Sequence, residues 1–207
     1  VDGLNAAWEL TLSSDGKHAY VTGYNDHAVS WFERNSTSGA LTYGGTLKDG
    51  VNGVDGLFYA YGVRLSADGS HAYVTGSLEN AVSWYERNAT NGALTYGGVL
   101  KDGMGGVDGL GGARGVTLSA DGNHAYVSGY ADDTVSWYER NASSGALTYV
   151  GLLRDGVGGQ DGLDGAHGVT LSADGNHAYV TGNINDTVGL YIRNPSTGAL
   201  SFGTTWK

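Results

Sequence analysis

Apolar and polar residues alternate in short runs along this chain, and the runs return in the same order four times. In the third copy, Gly115-Val116-Thr117-Leu118-Ser119 is a short apolar run closed by the turn Ala120-Asp121-Gly122. Asp supplies a local side-chain hydrogen bond there and Gly the positive φ. His124-Ala125-Tyr126-Val127-Ser128-Gly129 alternates with a period of two, and Thr134 to Arg140 does so in residues that favour strands. The turn Asn141 to Gly145 leads into a fourth run, Ala146 to Leu153, and a Gly-Asp segment, Arg154 to Gly165, joins the next copy. No stretch carries a capped 3.6-residue period. Each copy therefore predicts four short antiparallel strands.

The phrase S-x-D-G-x-H-A-Y-V begins at Ser13, Ser66, Ser119 and Ser172, at constant intervals of 53 residues. A fixed period of this size marks a unit that cannot bury its apolar face alone and must stack on copies of itself. The expected fold is all-β: a β-propeller of four four-stranded antiparallel blades, residues 1–53, 54–106, 107–159 and 160–207, forming one domain over 1–207. Three arrangements satisfy that count: a closed four-blade ring, half of an eight-blade ring made by two chains, or part of a longer array. The third strand supports a special role for the last blade. Val29-Ser30-Trp31-Phe32-Glu33 and its next two copies become Val188-Gly189-Leu190-Tyr191-Ile192, so the face shared by Trp and Glu turns aliphatic. That change predicts a different neighbour for blade 4, either blade 1 or the partner in a homodimer.

Composition narrows the chemistry. A net charge of −10 disfavours nucleic acid and anionic membrane surfaces. Absence of cysteine excludes disulfides, thiolate metal sites and a Cys nucleophile. No apolar run is long enough for membrane insertion as a helix. The opening at Val1, without Met and on a repeat boundary, is expected of a processed, trimmed or engineered product.

Leu-Ser-Ala-Asp-Gly-x-His-Ala-Tyr-Val-Thr-Gly, followed by Val-Ser-Trp-Tyr-Glu-Arg-Asn and Gly-Ala-Leu-Thr-Tyr, resembles the YVTN-type repeats of lactonase-like β-propellers. Tyr20-Val21-Thr22, Tyr73-Val74-Thr75 and Tyr179-Val180-Thr181 carry the match, and the third repeat has Ser128 in place of Thr. The resemblance covers all four repeats. It implies blades of this type, although lactonase members have seven, and it implies charged residues at the central channel as the place to look for activity.

Residues shared by all repeats are assigned to the blade itself: the Asp-Gly turns, His18, His71, His124 and His177, and the Arg-Asn pairs that begin at Arg34. The slots that differ are more telling. Just before the first strand the copies read Asn5-Ala6-Ala7-Trp8-Glu9, Phe58-Tyr59-Ala60-Tyr61-Gly62, Gly111-Gly112-Ala113-Arg114-Gly115 and Asp164-Gly165-Ala166-His167-Gly168. First strands lie nearest a propeller's axis, so Trp8, Tyr61, Arg114 and His167 are expected around one channel mouth, with Phe58 and Tyr59 beside them. Aromatic faces next to hydrogen-bonding charges suit a sugar or another small polar ligand. A catalytic reading makes His167 a general base, Arg114 a clamp for an oxyanion or carboxylate, and Glu9 or Asp164 an acid. Simple plugging of a narrow channel is the competing reading. The loops Tyr24-Asn25-Asp26-His27 and Tyr130-Ala131-Asp132-Asp133, with their counterparts, are solvated turns or glycan contacts.

The connectors concentrate hard oxygen ligands: Asp49, Asn52 and Asp55, then Asp102 and Asp108, then Asp155, Asp161 and Asp164. Calcium is the cofactor such a set would take, and Gly-Asp turns explain the same residues without it. The leading expectation is a non-enzymatic module, secreted or at the cell surface, that recognises a carbohydrate or small polar ligand. The alternatives are a lactonase-like hydrolase or isomerase at the channel and a structural surface-assembly protein.

Overall fold

Each repeat builds one sheet from four consecutive strands in the computed structural model, which describes residues 1–207. Blade 1 holds β1 (Ala7–Leu12), β2 (His18–Gly23), β3 (Ala28–Arg34) and β4 (Leu41–Lys48), and blade 2 holds β5 (Ala60–Leu65), β6 (His71–Gly76), β7 (Ala81–Arg87) and β8 (Leu94–Lys101). Blade 3 holds β9 (Ala113–Leu118), β10 (His124–Gly129), β11 (Thr134–Arg140) and β12 (Leu147–Arg154). Blade 4 holds β13 (Ala166–Leu171), β14 (His177–Gly182), β15 (Thr187–Arg193) and β16 (Leu200–Trp206). All pairings are antiparallel meanders, and β1, β5, β9 and β13 run beside one another as the innermost strands. The first strand of blade 3 starts two residues before the run read from sequence, because Ala113 pairs with Gly129 across a bulge.

The core lies between blades. Tyr20, Val29 and Trp31 of blade 1 pack on Leu57, Val63, Val74 and Tyr85 of blade 2. Equivalent clusters fill the seams between blades 2 and 3 and between blades 3 and 4. Trp31, Trp84 and Trp137 each pack against glycine of their own blade's fourth strand. A Cβ at Gly45 would sit 2.4 Å from the Trp31 ring.

One polar joint repeats at every seam. Arg87 Nε donates to the Tyr20 hydroxyl at 2.6 Å and its Nη2 to His18 Nδ1 at 2.8 Å, with Asp15 3.4 Å away. Arg140 makes the same contacts with Tyr73, His71 and Asp68, and Arg193 with Tyr126, His124 and Asp121. Nη1 of each also ties down its own blade's turn, at Gly69, Gly122 and Gly175. The shared Arg thus holds the turn, as its position in the repeat suggests, and clasps the preceding blade as well. Because Arg only donates, the histidine must present a bare Nδ1 and remain neutral. Burial, then the neighbouring guanidinium, holds His18, His71 and His124 below the ordinary imidazole range.

Both ends of the array lack this joint. Arg34 bonds only the carbonyl of Gly16. Tyr179 is 37% exposed where Tyr20, Tyr73 and Tyr126 are fully buried, and Val188 and Ile192 are exposed beside it. At the other end Leu10, Leu12, Leu41 and Tyr43 are exposed. No core cluster joins blade 4 to blade 1. The closed four-blade ring is therefore corrected to an open arc. The aliphatic face of blade 4 does not meet blade 1 in this chain. The two uncovered faces are the complementary halves of a joint made three times within it.

Two predictions follow from the seam chemistry. Arg140→Ala removes a buried cation and strands Tyr73 and His71, so unfolding in denaturant should show a loss of about 3 kcal/mol or more. Arg34→Ala, with no blade opposite, should change stability by less than about 0.5 kcal/mol. The histidines fix a pH window. Their folded pKa values lie below the ordinary 6.5, so the unfolded chain takes up protons first. Stability should be fully present above pH 6.5 and fall as the pH drops below it. His71→Asn, which keeps an acceptor for Arg140, should flatten that slope in thermal melts between pH 7 and 5.

Candidate functional site

The threonine of each Tyr-Val-Thr run sets the slot that the next blade presents to the axis. Thr22 Oγ1 donates to the carbonyl of Tyr61 at 2.7 Å, Thr75 Oγ1 to that of Arg114 at 2.6 Å, and Ser128 Oγ to that of His167 at 2.6 Å. Within its own blade the same oxygen accepts the N–H that follows the slot: Glu9 N–H donates to Thr22, Gly62 N–H to Thr75 and Gly115 N–H to Ser128. The strand ladder is broken at these places, with register shifts between Ala7 and Leu10, Ala60 and Val63, and Ala166 and Val169. A bulge re-aims a side chain, and here the hydroxyl supplies the hydrogen bond that the ladder gives up. Trp8, Tyr61, Arg114 and His167 are the side chains so aimed.

These four come together. The Tyr61 hydroxyl lies 2.7 Å from His167 Nε2, joining blade 2 to blade 4 across the axis. The Trp8 and Tyr61 rings are 4.9 Å apart, and the Arg114 guanidinium lies 5.3 Å from the Tyr61 ring and 3.4 Å from that of Tyr130. A cleft of about 210 Å³ opens among Trp8, Glu9, Tyr61, Arg64 and His167. Glu9 pairs with Arg64 and accepts the N–H of Val63. Arg114 has no carboxylate partner, and its buried Nε has no hydrogen bond. Burial, then Arg114, lowers the pKa of His167, while burial raises that of Tyr61. The site thus holds a neutral imidazole, a protonated phenol, one guanidinium paired with a carboxylate and one met only by aromatic faces. A second hollow of about 480 Å³ reaches His167 from the uncovered side of blade 4, past Thr181, Asn183 and Trp206.

Phe58 and Tyr59 stand one step outward, against His27 and Tyr24. Arg114 is not among the residues lining the cleft, although Gly115 beside it is, and Asp164 does not line it either. Asp164 sits with Asp133 and Asp155, where partial desolvation and their charges raise its carboxyl pKa. Arg64 escaped the reading of the slots, yet it had a signal: it stands in a column that otherwise reads Thr11, Thr117 and Thr170. Tyr130 reached the site from a loop whose sequence resembles an ordinary turn.

The connector acids are engaged by the chain itself. Asp49, Asp102 and Asp155 each accept a backbone N–H eight residues on, from Leu57, Leu110 and Leu163. Asp55 pairs with Lys101 and Asp108 with Arg154, and Asp161 accepts the N–H of Gly162. Asn52 adopts a left-handed turn conformation at φ 53°. Asp49, Asp55 and Glu79 bring oxygens within 4.8 Å of one another, but Lys101 Nζ sits 2.8 Å from Asp55 and 2.7 Å from Glu79. A calcium ion there would compete with that ammonium.

No curated protein matches the chain. Among solved structures, a protein from Lactobacillus plantarum aligns with TM-score 0.80 at 20% identity, over 96% of this chain and 57% of its own. The periplasmic gluconolactonase of Pseudomonas aeruginosa, PpgL, aligns with TM-score 0.72 at 20% identity, over 97% and 53%. A candidate 6-phosphogluconolactonase from Bacteroides uniformis aligns with TM-score 0.77 at 18% identity, over 95% and 53%. The chain therefore spans little more than half the length of these structures, and the likeness at such identities concerns the fold. The family described as lactonase, 7-bladed beta-propeller, matches residues 62–206. With its YVTN-type repeats folded as stacked four-stranded blades, this chain belongs to the lactonase family of seven-bladed β-propellers.

Proposed function

We propose that the chain carries the catalytic face of a propeller that hydrolyses sugar lactones, with the reaction in the cleft bounded by Trp8, Glu9, Tyr61, Arg64 and His167. The observation that carries this reading is the Tyr61–His167 bond, which places a neutral imidazole across the axis beside an unpaired guanidinium. Gluconolactonase and candidate 6-phosphogluconolactonase activities attributed to structural neighbours supply the substrate class. A non-enzymatic binding module, the leading expectation from sequence, draws no comparable support from them.

His167 takes a proton from water as its oxygen bonds to the lactone carbonyl carbon. Negative charge gathers on the carbonyl oxygen, and Arg114, which has no internal counter-ion, stabilises it. When the ring C–O bond breaks, the imidazolium returns the proton to the departing oxygen, leaving a hydroxy acid. In the reacting tautomer the Tyr61 oxygen accepts the Nε2–H of His167, which orients the ring and leaves Nδ1 bare as the base, and Glu9 fixes Arg64 along the wall of the cleft.

Two measurements test this. Proton release from glucono-δ-lactone in a pH-stat, corrected for spontaneous opening, should exceed background, and His167→Gln should lower kcat/KM about 10²- to 10⁴-fold with the fold retained by circular dichroism. Because the pKa of His167 lies below the ordinary 6.5, the rate should be flat at pH 7 and fall only on the acid side of 6.5. Background-level rates from the intact chain, or a fully active His167→Gln, would remove the proposal.

A further inference from the structure

A file of aromatic rings leaves the cleft and runs outward over the seam between blades 1 and 2. Tyr61 and Trp8, at the cleft wall, are 4.9 Å apart, and Trp8 to Tyr24 is 5.5 Å. Tyr24 to Tyr59 is 4.7 Å, and Tyr59 to Phe58 is 4.9 Å. His27 closes the file, 4.4 Å from Phe58 and 4.7 Å from Tyr59. Trp8 is 56% and Phe58 40% exposed, and Tyr24 and Tyr59 are half-buried between them, so the outer part of the file is open to solvent.

The seams do not need these rings. Where blade 2 has Phe58-Tyr59, blade 3 has Gly111-Gly112 and blade 4 Asp164-Gly165. The inter-blade bond at this place survives every change: Tyr59 N–H donates to His27 Nδ1, Gly112 N–H to Asn80 Oδ1 and Gly165 N–H to Asp133 Oδ1, at 2.8–3.0 Å. The backbone there is left-handed, with φ 58° at Tyr59 against 63° at Gly112 and 62° at Gly165. Glycine adopts that conformation freely, whereas a bulky aromatic residue is disfavoured in it. Tyr59 is therefore a strained choice that the inter-blade hydrogen bond does not require, and strain of this kind clusters where a protein binds or reacts.

We infer that Trp8, Tyr24, Tyr59 and Phe58 form a stacking subsite for a neutral pyranose attached to the reacting ring, so that the preferred substrate is the aldonolactone end of an oligosaccharide, not a single sugar. This deepens the lactone reading and rests on it. An aromatic face carries negative charge density that attracts the polarised C–H bonds of a pyranose, and a tyrosine hydroxyl can donate to or accept from its hydroxyl groups. Charge argues for a neutral occupant. Asp26 and Glu79 border the file through bonds to Asn5 and Phe58 N–H, and the chain as a whole is strongly acidic.

The test separates sugar binding from hydrolysis. Cellotriose, which has no lactone, is titrated calorimetrically into the intact chain, into His167→Gln, and into the double variant Phe58→Gly and Tyr59→Gly. That variant restores the pair found in blade 3, and its melting temperature checks folding. Saturable binding to the intact chain and to His167→Gln, weakened about tenfold or more in a folded double-glycine variant, is the expected result. In kinetics, cellobionolactone should show a lower KM than glucono-δ-lactone with the intact chain, and the double variant should lose that advantage. No binding of cellotriose by the intact chain, or equal binding by the double variant, overturns the subsite. If binding behaves as expected while no lactone is opened, the catalytic reading fails and the sugar subsite stands.

Discussion

A single blade of this protein has two apolar faces and no means of covering either, and every larger feature depends on how neighbouring blades solve that problem. The solution is a seam in which Tyr, Val and Trp of one blade fill the space against the next, locked by an arginine that reaches back to a tyrosine, a histidine and an aspartate. The apolar part supplies most of the driving force, since several large side chains become fully buried at each seam. The arginine fixes register. Its guanidinium is buried and must find all of its partners at once, so only one alignment of two blades satisfies it. A neutral histidine is part of that bargain, which ties the integrity of the array to pH.

The site is a by-product of the same stacking. Thr22, Thr75 and Ser128 bridge the gap left by a bulge in their own blade and hold the carbonyl of the next blade's slot. The slots of Tyr61, Arg114 and His167, on three separate strands, are thereby aimed at one axis without direct bonds among their side chains being required. This leaves the slot side chains free to differ. Trp8, Tyr61, Arg114 and His167 share a backbone position and nothing else, and the chemistry arises from their inequality. The orphaned Arg114 and the unshared His167 are affordable because the seams, not the channel, carry the stability.

The ends of the arc express the same logic. Tyr179, His177 and Asp174 on blade 4 and Arg34 on blade 1 are the components of a fourth joint left apart. The family model that the chain matches describes seven blades, whereas four are seen here.

The sequence by itself determined the blade: a constant period, strand-like alternation and Asp-Gly turns leave little freedom in local hydrogen bonding, and β10 and β11 occupy the residues that the alternation marks. It also singled out the slot holding Trp8, Tyr61, Arg114 and His167, because a departure from an otherwise uniform repeat is visible without coordinates. Tertiary structure alone decided that the ring stays open, since closure depends on the angle between blades, which sums over side-chain volumes at each seam and leaves no local mark. Likewise only the packed array paired Arg87 with His18, sixty-nine residues apart, and seated Lys101 among the acids that resembled a calcium site. It also gathered Tyr24, Tyr59 and Trp8 into one surface. Periodicity describes what each unit does alone, whereas these features exist only where two units meet.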